Sequence, residues 1–395
     1  MLHSRLFLLL CLVAFCSFIS YDMVRRPALS LFAASLGAGP TLVGLLIALS
    51  TVTGVFLKLP IGLLADVLDR RRLMMGGVLA FGLPPFLYPV IDDLTTLGML
   101  RLVHGLATAM YTPIALAIVG EWFMERRGEA FGWYTSAAQG GGLLGPMLGG
   151  MVVYSFGYAP TFLAAGCFGV LALILYGLIP GHEMGTTRVP SSSVHLWREM
   201  QDGLKRVWAN TAIRITSLVE AAKMVGNGTL MAFLPLYGLL IGLNAAEIGI
   251  LFGIQALTSL VSKPIMGRLS DRSAREPLIV GGLSLCGVMV MAIPQLTWYP
   301  GLLLIGGAFG FGEAVVTSST TALVADVSQD KGLGAGMGLR GTIMDTGHAG
   351  GPLLAGLLIE SLGYQIGFLA IGILLLITAL YFGITMAGLK KSPVL

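Results

Sequence analysis

The chain has 395 residues, 55% of them apolar and only 11% charged, with a mean hydropathy of +0.86. A water-soluble domain of that composition would have no polar surface to present, so soluble enzymes and soluble binding modules are excluded. The formal net charge of +4 is placed by loop position and gives no basis for nucleic-acid binding.

Apolar windows of about 20 residues, enough to cross about 30 Å of hydrocarbon, predict twelve spans: 5–34, 41–64, 73–91, 96–119, 130–154, 159–179, 211–239, 245–267, 278–297, 301–325, 334–360 and 365–388. Read as a secretory signal, the first span would have Arg5 as its basic start and Leu6–Phe18 as its apolar core. That reading fails because the apolar run continues past Asp22 without a small-residue cleavage site. Basic residues follow the even-numbered spans (Arg70, Arg71, Arg72, Arg126, Arg127, Arg198, Lys205, Arg206, Arg268, Arg272, Arg275, Lys331) and the C-terminus, while the loops after odd-numbered spans have none. The positive-inside rule then puts both termini and the middle loop in the cytoplasm. Cys11, Cys16, Cys167 and Cys286 all fall within spans without metal-ligand spacing, so no metal and no cofactor is expected.

In chain order, span 1 carries Asp22 at mid-depth, followed by Arg25 and Arg26. Span 2 ends in Gly62-x-x-x-Asp66-x-x-x-Arg70-Arg71-Arg72, whose spacing of four sets Gly, Asp and Arg on one helix face. Arg101 lies several residues inside span 4, where a guanidinium is costly unless it is paired or meets water. Glu121 and Glu125 follow that span. Span 5 holds QGGGLLGPMLGG (139–150), six glycines and a proline in twelve positions. Small residues four apart let two helix backbones touch, and proline bends a helix by removing one hydrogen bond. Residues 181–210 are the only long polar segment, a Ser/Pro linker and then an amphipathic helix with Leu196, Trp197, Met200, Leu204 and Val207 on its apolar side. Beyond it, Glu220, Lys223 and Asn227 share a face of span 7, and Glu313 lies in span 10 with Thr317 and Thr320. Span 11 carries Arg340, Asp345 and His348. Glu313 and Asp345 have no local cation in the sequence, so each is either protonated or paired across helices.

The halves repeat. A shift of 205 lays residues 58–77 over 263–282, matching Lys58/Lys263, Gly62/Gly267, Asp66/Asp271 and Arg70/Arg275. A shift of 206 lays 154–166 over 360–372 and 140–150 over 346–356. The expected organisation is 1–180 as a six-helix bundle, 181–210 as a cytoplasmic linker and 211–395 as a second bundle.

Two parallel six-span halves, a cytoplasmic linker and an acidic-basic motif after spans 2 and 8 resemble the major facilitator superfamily over essentially the whole chain. The resemblance implies an all-α membrane protein of 12 transmembrane helices in two pseudo-symmetric six-helix bundles, with a substrate site near the midplane. The span 2 string is similar to motif A, which implies a cytoplasmic gate. In it Asp66 and Arg70 would meet Glu121 or Glu125, and Gly267, Asp271 and Arg275 would repeat it with Asp326. Val67 and Asp69 depart from the family pattern, which usually has a basic residue and a glycine there. Arg101-x-x-His104-Gly105 resembles motif B, whose arginine is associated with proton coupling. Its natural partner would be Asp22. The competing reading pairs Asp22 with Arg25 or Arg26 and leaves Arg101 to a headgroup. Gly132, Gly141, Gly145, Pro146, Gly149 and Gly150 match motif C, characteristic of drug:proton antiporters, and Gly347, Gly351 and Pro352 repeat it. The glycines would press span 5 against a neighbour from the other half.

These readings lead to an exporter that exchanges an amphipathic small molecule for protons by alternating access. Its partners would be substrate, protons and the lipid bilayer, with no nucleic acid. It would be a monomer in a bacterial inner membrane. Asp22, Arg101, Glu313 and Asp345 are the proton-coupling candidates. Tyr21, Tyr111, Gln139, Glu220, Asn227, Met231 and Gln255 are the substrate-cavity candidates, and Trp133, Tyr134, Phe233 and Tyr237 could add aromatic wall. The alternatives are an uptake symporter or facilitator of a small metabolite and a lipid or lysolipid flippase. No P-loop, HExxH or GxSxG supports an enzyme.

Overall fold

The computed structural model describes residues 2–64, 69–181, 210–327 and 333–391. Among these residues the structure is all helix and turn. Backbone groups facing lipid can be satisfied only within a helix or a closed barrel, and this chain takes the helical solution. The elements are α1 (Leu2–Met23), a π-helical stretch (Val24–Ala28), α2 (Leu29–Ser35), α3 (Pro40–Leu64), α4 (Arg70–Gly82), α5 (Leu94–Trp122), α6 (Arg127–Phe156) and α7 (Tyr158–Gly177). They continue as α8 (Thr211–Leu240), α9 (Ala245–Arg272), α10 (Arg275–Ala292), α11 (Tyr299–Val327) and α12 (Leu333–Lys391).

Each of the twelve expected spans has its helix. α1 to α2 form one span, broken at Arg26 (φ −141°, ψ 123°) because the residue before Pro27 is driven out of helical geometry. α12 holds two spans joined at Gly363, whose φ of 81° only glycine adopts readily. Nine described segments are long and apolar enough to cross a membrane. Spans 5 and 7 fall outside that set although α6 and α8 each run 30 residues. Their glycine, tyrosine and charged residues lower the hydropathy at the places where they meet other helices instead of lipid.

By contacts the chain divides into one unit of Met1–Pro190 with Gly238–Gly253, and another of Ser191–Tyr237 with Ile254–Leu395. The segment Gly238–Gly253 packs with the first unit through close backbone contact: a β-carbon on Gly150 would lie 3.0 Å from Gly249 Cα, and one on Gly249 would lie 2.5 Å from Pro146 O.

The sequence repeat is also a repeat of contacts inside each unit. In the first, Gly141 and Gly145 of α6 meet the α1 backbone at Phe15 to Met23; in the second, Gly347 and Gly351 of α12 meet the α8 backbone at Ala221 and Val225. Gly105 against Ser50 recurs as Gly310 against Gln255, and Gly77 against Tyr111 as Gly282 against Val316. Each such residue pair is shifted by 205 or 206 positions.

Candidate functional site

The glycine string of α6 packs differently from expectation. Its partner is chiefly α1 of the same unit. A β-carbon on Gly145 would stand 2.9 Å from Asp22 Cβ and 3.0 Å from Ile19 O and Met23 N; on Gly149, 2.7 Å from Met23 O; on Gly142, 3.2 Å from Asp22 Oδ2. Only the last glycine, Gly150, reaches the segment at Ala245 and Gly249. Gly132 faces open space. Pro146 lies between Gly145 and Gly149 in an otherwise continuous helix. The Asp22 carboxyl is thus set into the tightest part of the seam, and the cations acting on it are Arg26 and Arg25. Arg25 also donates to Thr51 Oγ1 at 3.1 Å and lies over the Tyr21 ring at 5.4 Å. Arg26 lies over the Phe252 ring at 5.7 Å.

Arg101 is fully buried and does not pair with Asp22. It donates through Nη2 to Ser50 Oγ, through Nε to Leu46 O at 3.3 Å and through Nη1 to the Tyr88 hydroxyl at 3.4 Å. The coupling pair suggested by the resemblance is corrected accordingly: Arg101 turns to α3 and the Tyr88–Val90 turn, while Asp22 turns to α6. Tyr88 lies 3.0 Å from His104 Nδ1, and Tyr21 donates to Ser50 at 3.4 Å. Ser50 and Tyr88 were missed by sequence reasoning because a hydroxyl on an apolar helix or turn gives no periodic signal.

In the second unit Glu220 and Lys223 are both buried and pair at 2.7 Å. Lys223 also donates to Thr317 Oγ1 at 2.7 Å, and Thr320 donates to Glu220. The charges that act on half-buried Lys263 of α9 are those of Glu313, Lys223 and Glu220. The sequence marks Lys263 only as a repeat position; its backbone carbonyl accepts from Ser318 Oγ at 3.1 Å, which ties α9 to α11 beside this cluster. Asp345 is half-buried in α12, and Gln139 half-buried in α6. Asn227 and Gln255 are buried.

Of the aromatic-wall candidates, Tyr111 and Tyr134 are core residues of the first unit, Tyr111 packing edge-on to Phe81 at 5.7 Å. Tyr21 packs edge-on to Phe81 and His104. Met231 and Phe233 are fully buried and Tyr237 nearly so. Trp133 is the exception, 65% exposed. It lines an apolar cavity of about 720 Å³ in the first unit with Phe7, Leu8, Cys11, Leu12 and Phe15 of α1, and Ser136 and Ala137 of α6.

At the same end of the unit as this cavity, where Phe7 packs on Phe123 at 4.9 Å, Arg70 of α4 is buried and grips both oxygens of Glu121 of α5 at 2.8 Å. Arg275 reaches Asp326 at 2.5 Å and Asp271 at 3.8 Å. These are the arginine–carboxylate pairs the motif implied; in the first unit one guanidinium nitrogen, Arg70 Nη1, donates to both carboxylate oxygens. Asp66 lies outside the described residues, as do the linker residues Leu196 to Val207. Gly62 lies in the last turn of α3, and Gly267 lies in α9 with open space beside it. Asp69, where the family pattern has glycine, caps α4 by accepting from the Arg71 amide at 2.9 Å. The departure from pattern thus supplies a helix cap.

The comparisons with known proteins agree with this architecture. The chain is 25% identical over 334 residues to the multidrug resistance protein MdtG of Enterobacter lignolyticus, covering 82% of this chain and 78% of that protein. It is 22% identical to an uncharacterized MFS-type transporter, MJ1560, of Methanocaldococcus jannaschii, covering 85% and 87%. Among solved structures it superposes on a bacterial homologue of the human lysosomal transporter Spinster, inward-facing and unoccupied, with a TM-score of 0.82 at 15% identity over 99% of each chain. It also superposes on a POT family transporter in complex with a thioalcohol-conjugated peptide, with a TM-score of 0.80 at 15% identity over 97% and 96%. A family model described as Major Facilitator Superfamily matches residues 10–245 and 216–393. With nearly the whole chain matched and the fold shared, the protein belongs to the major facilitator superfamily and is a multi-pass membrane transporter.

Proposed function

We propose that the protein exports an amphipathic small molecule in exchange for protons, working as a monomer in a bacterial inner membrane with both termini in the cytoplasm. The observation that carries this reading is the position of Asp22 in the glycine seam between α1 and α6, within one turn of Pro146. A carboxylate in so tight a seam is stable only while Arg25 and Arg26 balance it, because charge at membrane depth is costly. Protonation removes that balance beside Pro146, within the glycine seam, so proton binding and helix packing would be linked. The apolar cavity lined by Phe15 and Trp133 supports an amphipathic substrate, as do the relatives named for multidrug resistance. Glu313 with Lys263, and Asp345, are further sites for the proton, and the Arg70–Glu121 and Arg275–Asp326 pairs would hold the cytoplasmic side shut.

The test uses proteoliposomes with an imposed pH gradient, comparing wild type with Asp22→Asn for proton release on adding lipophilic cations, neutral drugs or lysolipids. Proton release by one class, abolished in Asp22→Asn, supports the exchanger. Substrate movement that ignores both the gradient and the substitution refutes it. A lysolipid flippase is the second reading, favoured by the mouth of the cavity, where Leu8 (60%) and Trp133 (65%) are exposed and Ser136 is the one polar lining residue.

A further inference from the structure

A guanidinium inside a membrane protein ordinarily has a carboxylate within reach. Among the described residues every hydrogen bond that Arg101 makes goes to a neutral oxygen: Ser50, Leu46 or Tyr88. The groups around it form a chain whose hydrogen-bond directions can be worked out. Arginine only donates, so the Tyr88 oxygen accepts from Arg101 Nη1 and the Tyr88 proton is directed to its other neighbour, His104 Nδ1, at 3.0 Å. Nδ1 is then an acceptor, which makes His104 neutral and places its proton on Nε2. That Nε2 is buried with no hydrogen-bond partner among the described residues. The same logic runs on the other side: Ser50 accepts from Arg101 and from Tyr21, and turns its own proton to Ile47 O.

The groups facing His104 are Tyr88 from the turn, Tyr21 from α1, Arg101 on its own helix and Arg25 from the π-helical stretch. None is a carboxylate. A second proton on His104 would set an Nδ1–H against the oxygen that Arg101 already uses, and a third cation beside two arginines. Arg101 and His104 are three apart on α5, so both reach the turn from one helix face. Tyr88 is itself held by stacking on Phe162 with centroids 4.9 Å apart.

We propose that His104, as the neutral Nε2–H tautomer, and Tyr88 are positioning residues that fix the Arg101 guanidinium between α3 and the turn, doing by directed hydrogen bonds what a carboxylate would do by charge. The inference goes beyond the exchange reading and borrows from it only one assay.

Its direct test is the nitrogen NMR of histidine-labelled protein in detergent, with the His104 signals assigned by their loss in His104→Gln. An unprotonated, hydrogen-bonded Nδ1 and a protonated Nε2 are expected across the working pH range; the opposite tautomer or an imidazolium overturns the proposal. The functional arm measures substrate-driven proton movement for Tyr88→Phe, His104→Leu and the double variant. Each single change should slow turnover at least about tenfold with KM moved less than about twofold, and the double should be no slower than either single, since both act through one link. His104→Gln, which restores an acceptor and cannot titrate, should recover the rate and keep the wild-type pH profile. Additive losses, or a pH profile that shifts in His104→Gln, overturn the proposal. Tyr88→Phe removes one oxygen only, so it gives an answer even if His104→Leu fails to fold. If wild type moves no protons but the tautomer is as stated, the exchange reading falls and this one stands.

Discussion

Replacing Gly145 with alanine separates close helix contact from mere helix flexibility. The added methyl would lie 2.9 Å from Asp22 Cβ and 3.0 Å from Ile19 O and Met23 N, where ordinary contact begins at 3.4 Å. Two of those atoms are backbone and cannot rotate away, so α1 and α6 must part by roughly half an ångström, which forfeits about a quarter of each contact along the seam. Overpacking of this kind costs about 1–3 kcal/mol, set against the roughly 0.8–1 kcal/mol that alanine gains over glycine within a helix. Gly132 lies on the same helix and faces open space, so Gly132→Ala should show the propensity gain alone. The difference in unfolding free energy between the two variants, about 1–3 kcal/mol, isolates the seam. The assay is unfolding of both proteins in one detergent, followed by tryptophan fluorescence. Gly351→Ala, whose methyl would meet Val225 Cα at 2.9 Å, should repeat the loss in the second unit. Equal stability of Gly132→Ala and Gly145→Ala would show that the glycines are not packed as described.

Two further outcomes follow from the structure. Glu220→Gln or Lys223→Met alone leaves a buried charge without its partner and should each cost about 3–5 kcal/mol, while the double substitution should cost less than either; thermal unfolding of the three variants checks this, and a double as damaging as the sum of the singles refutes it. Asp93 caps α5, and its carboxyl is held below the usual range by hydrogen bonds from Thr96 and Thr95. A depressed folded-state pKa contributes stability above the unfolded value near 3.9 that is lost as pH falls through the folded one. The stability difference between wild type and Asp93→Asn, whose cap does not titrate, should therefore be pH-independent above the unfolded value and shrink as acid protonates Asp93; a difference that stays constant through acid unfolding refutes the cap.

The depth of each polar residue in the membrane was legible in the sequence, but its direction around the helix was not. Depth comes from counting along an apolar run, which placed twelve helices and marked Asp22, Arg101, Glu220 and Glu313 as interior. Direction depends on tertiary packing. Arg101 was assigned to Asp22 because both are charged and sit on helices the fold brings together; it chose two hydroxyls and a carbonyl. Of motif A, the partners of Arg70 and Arg275 could be read, since Glu121 and Asp326 sit at helix ends where few other charges compete; Asp66 lies outside the described residues. The glycine string was recognised as a contact surface but given the wrong partner, since GxxxG spacing names a neighbour's closeness without naming the neighbour. The register was available in the repeat: a shift of 206 that carries Gly141 to Gly347 also carries Phe15 to Ala221 and Ile19 to Val225.

That same shift separates what the duplication kept from what it let change. The seam glycines Gly105, Gly141 and Gly145 recur as Gly310, Gly347 and Gly351 because each of them touches backbone, and a backbone contact that close tolerates no side chain in either copy. The helix-end charges recur, Arg70 and Glu121 as Arg275 and Asp326, but these interior ones do not: Asp22 corresponds to Gly228, Glu220 to Ala14 and Lys223 to Ser17, while at a shift of 205 Arg101 corresponds to Gly306 and Glu313 to Thr108. The two units thus share a packing frame and carry different chemistry. Within that difference the charges are not equivalent. Glu220 and Lys223 neutralise each other inside one unit and keep doing so however that unit moves, which makes them a structural pair. Asp22 is the acid built into a glycine seam beside a proline, where a change in charge and a change in helix packing occupy the same few residues. On the proposed exchange, that is where a proton would act on helix packing.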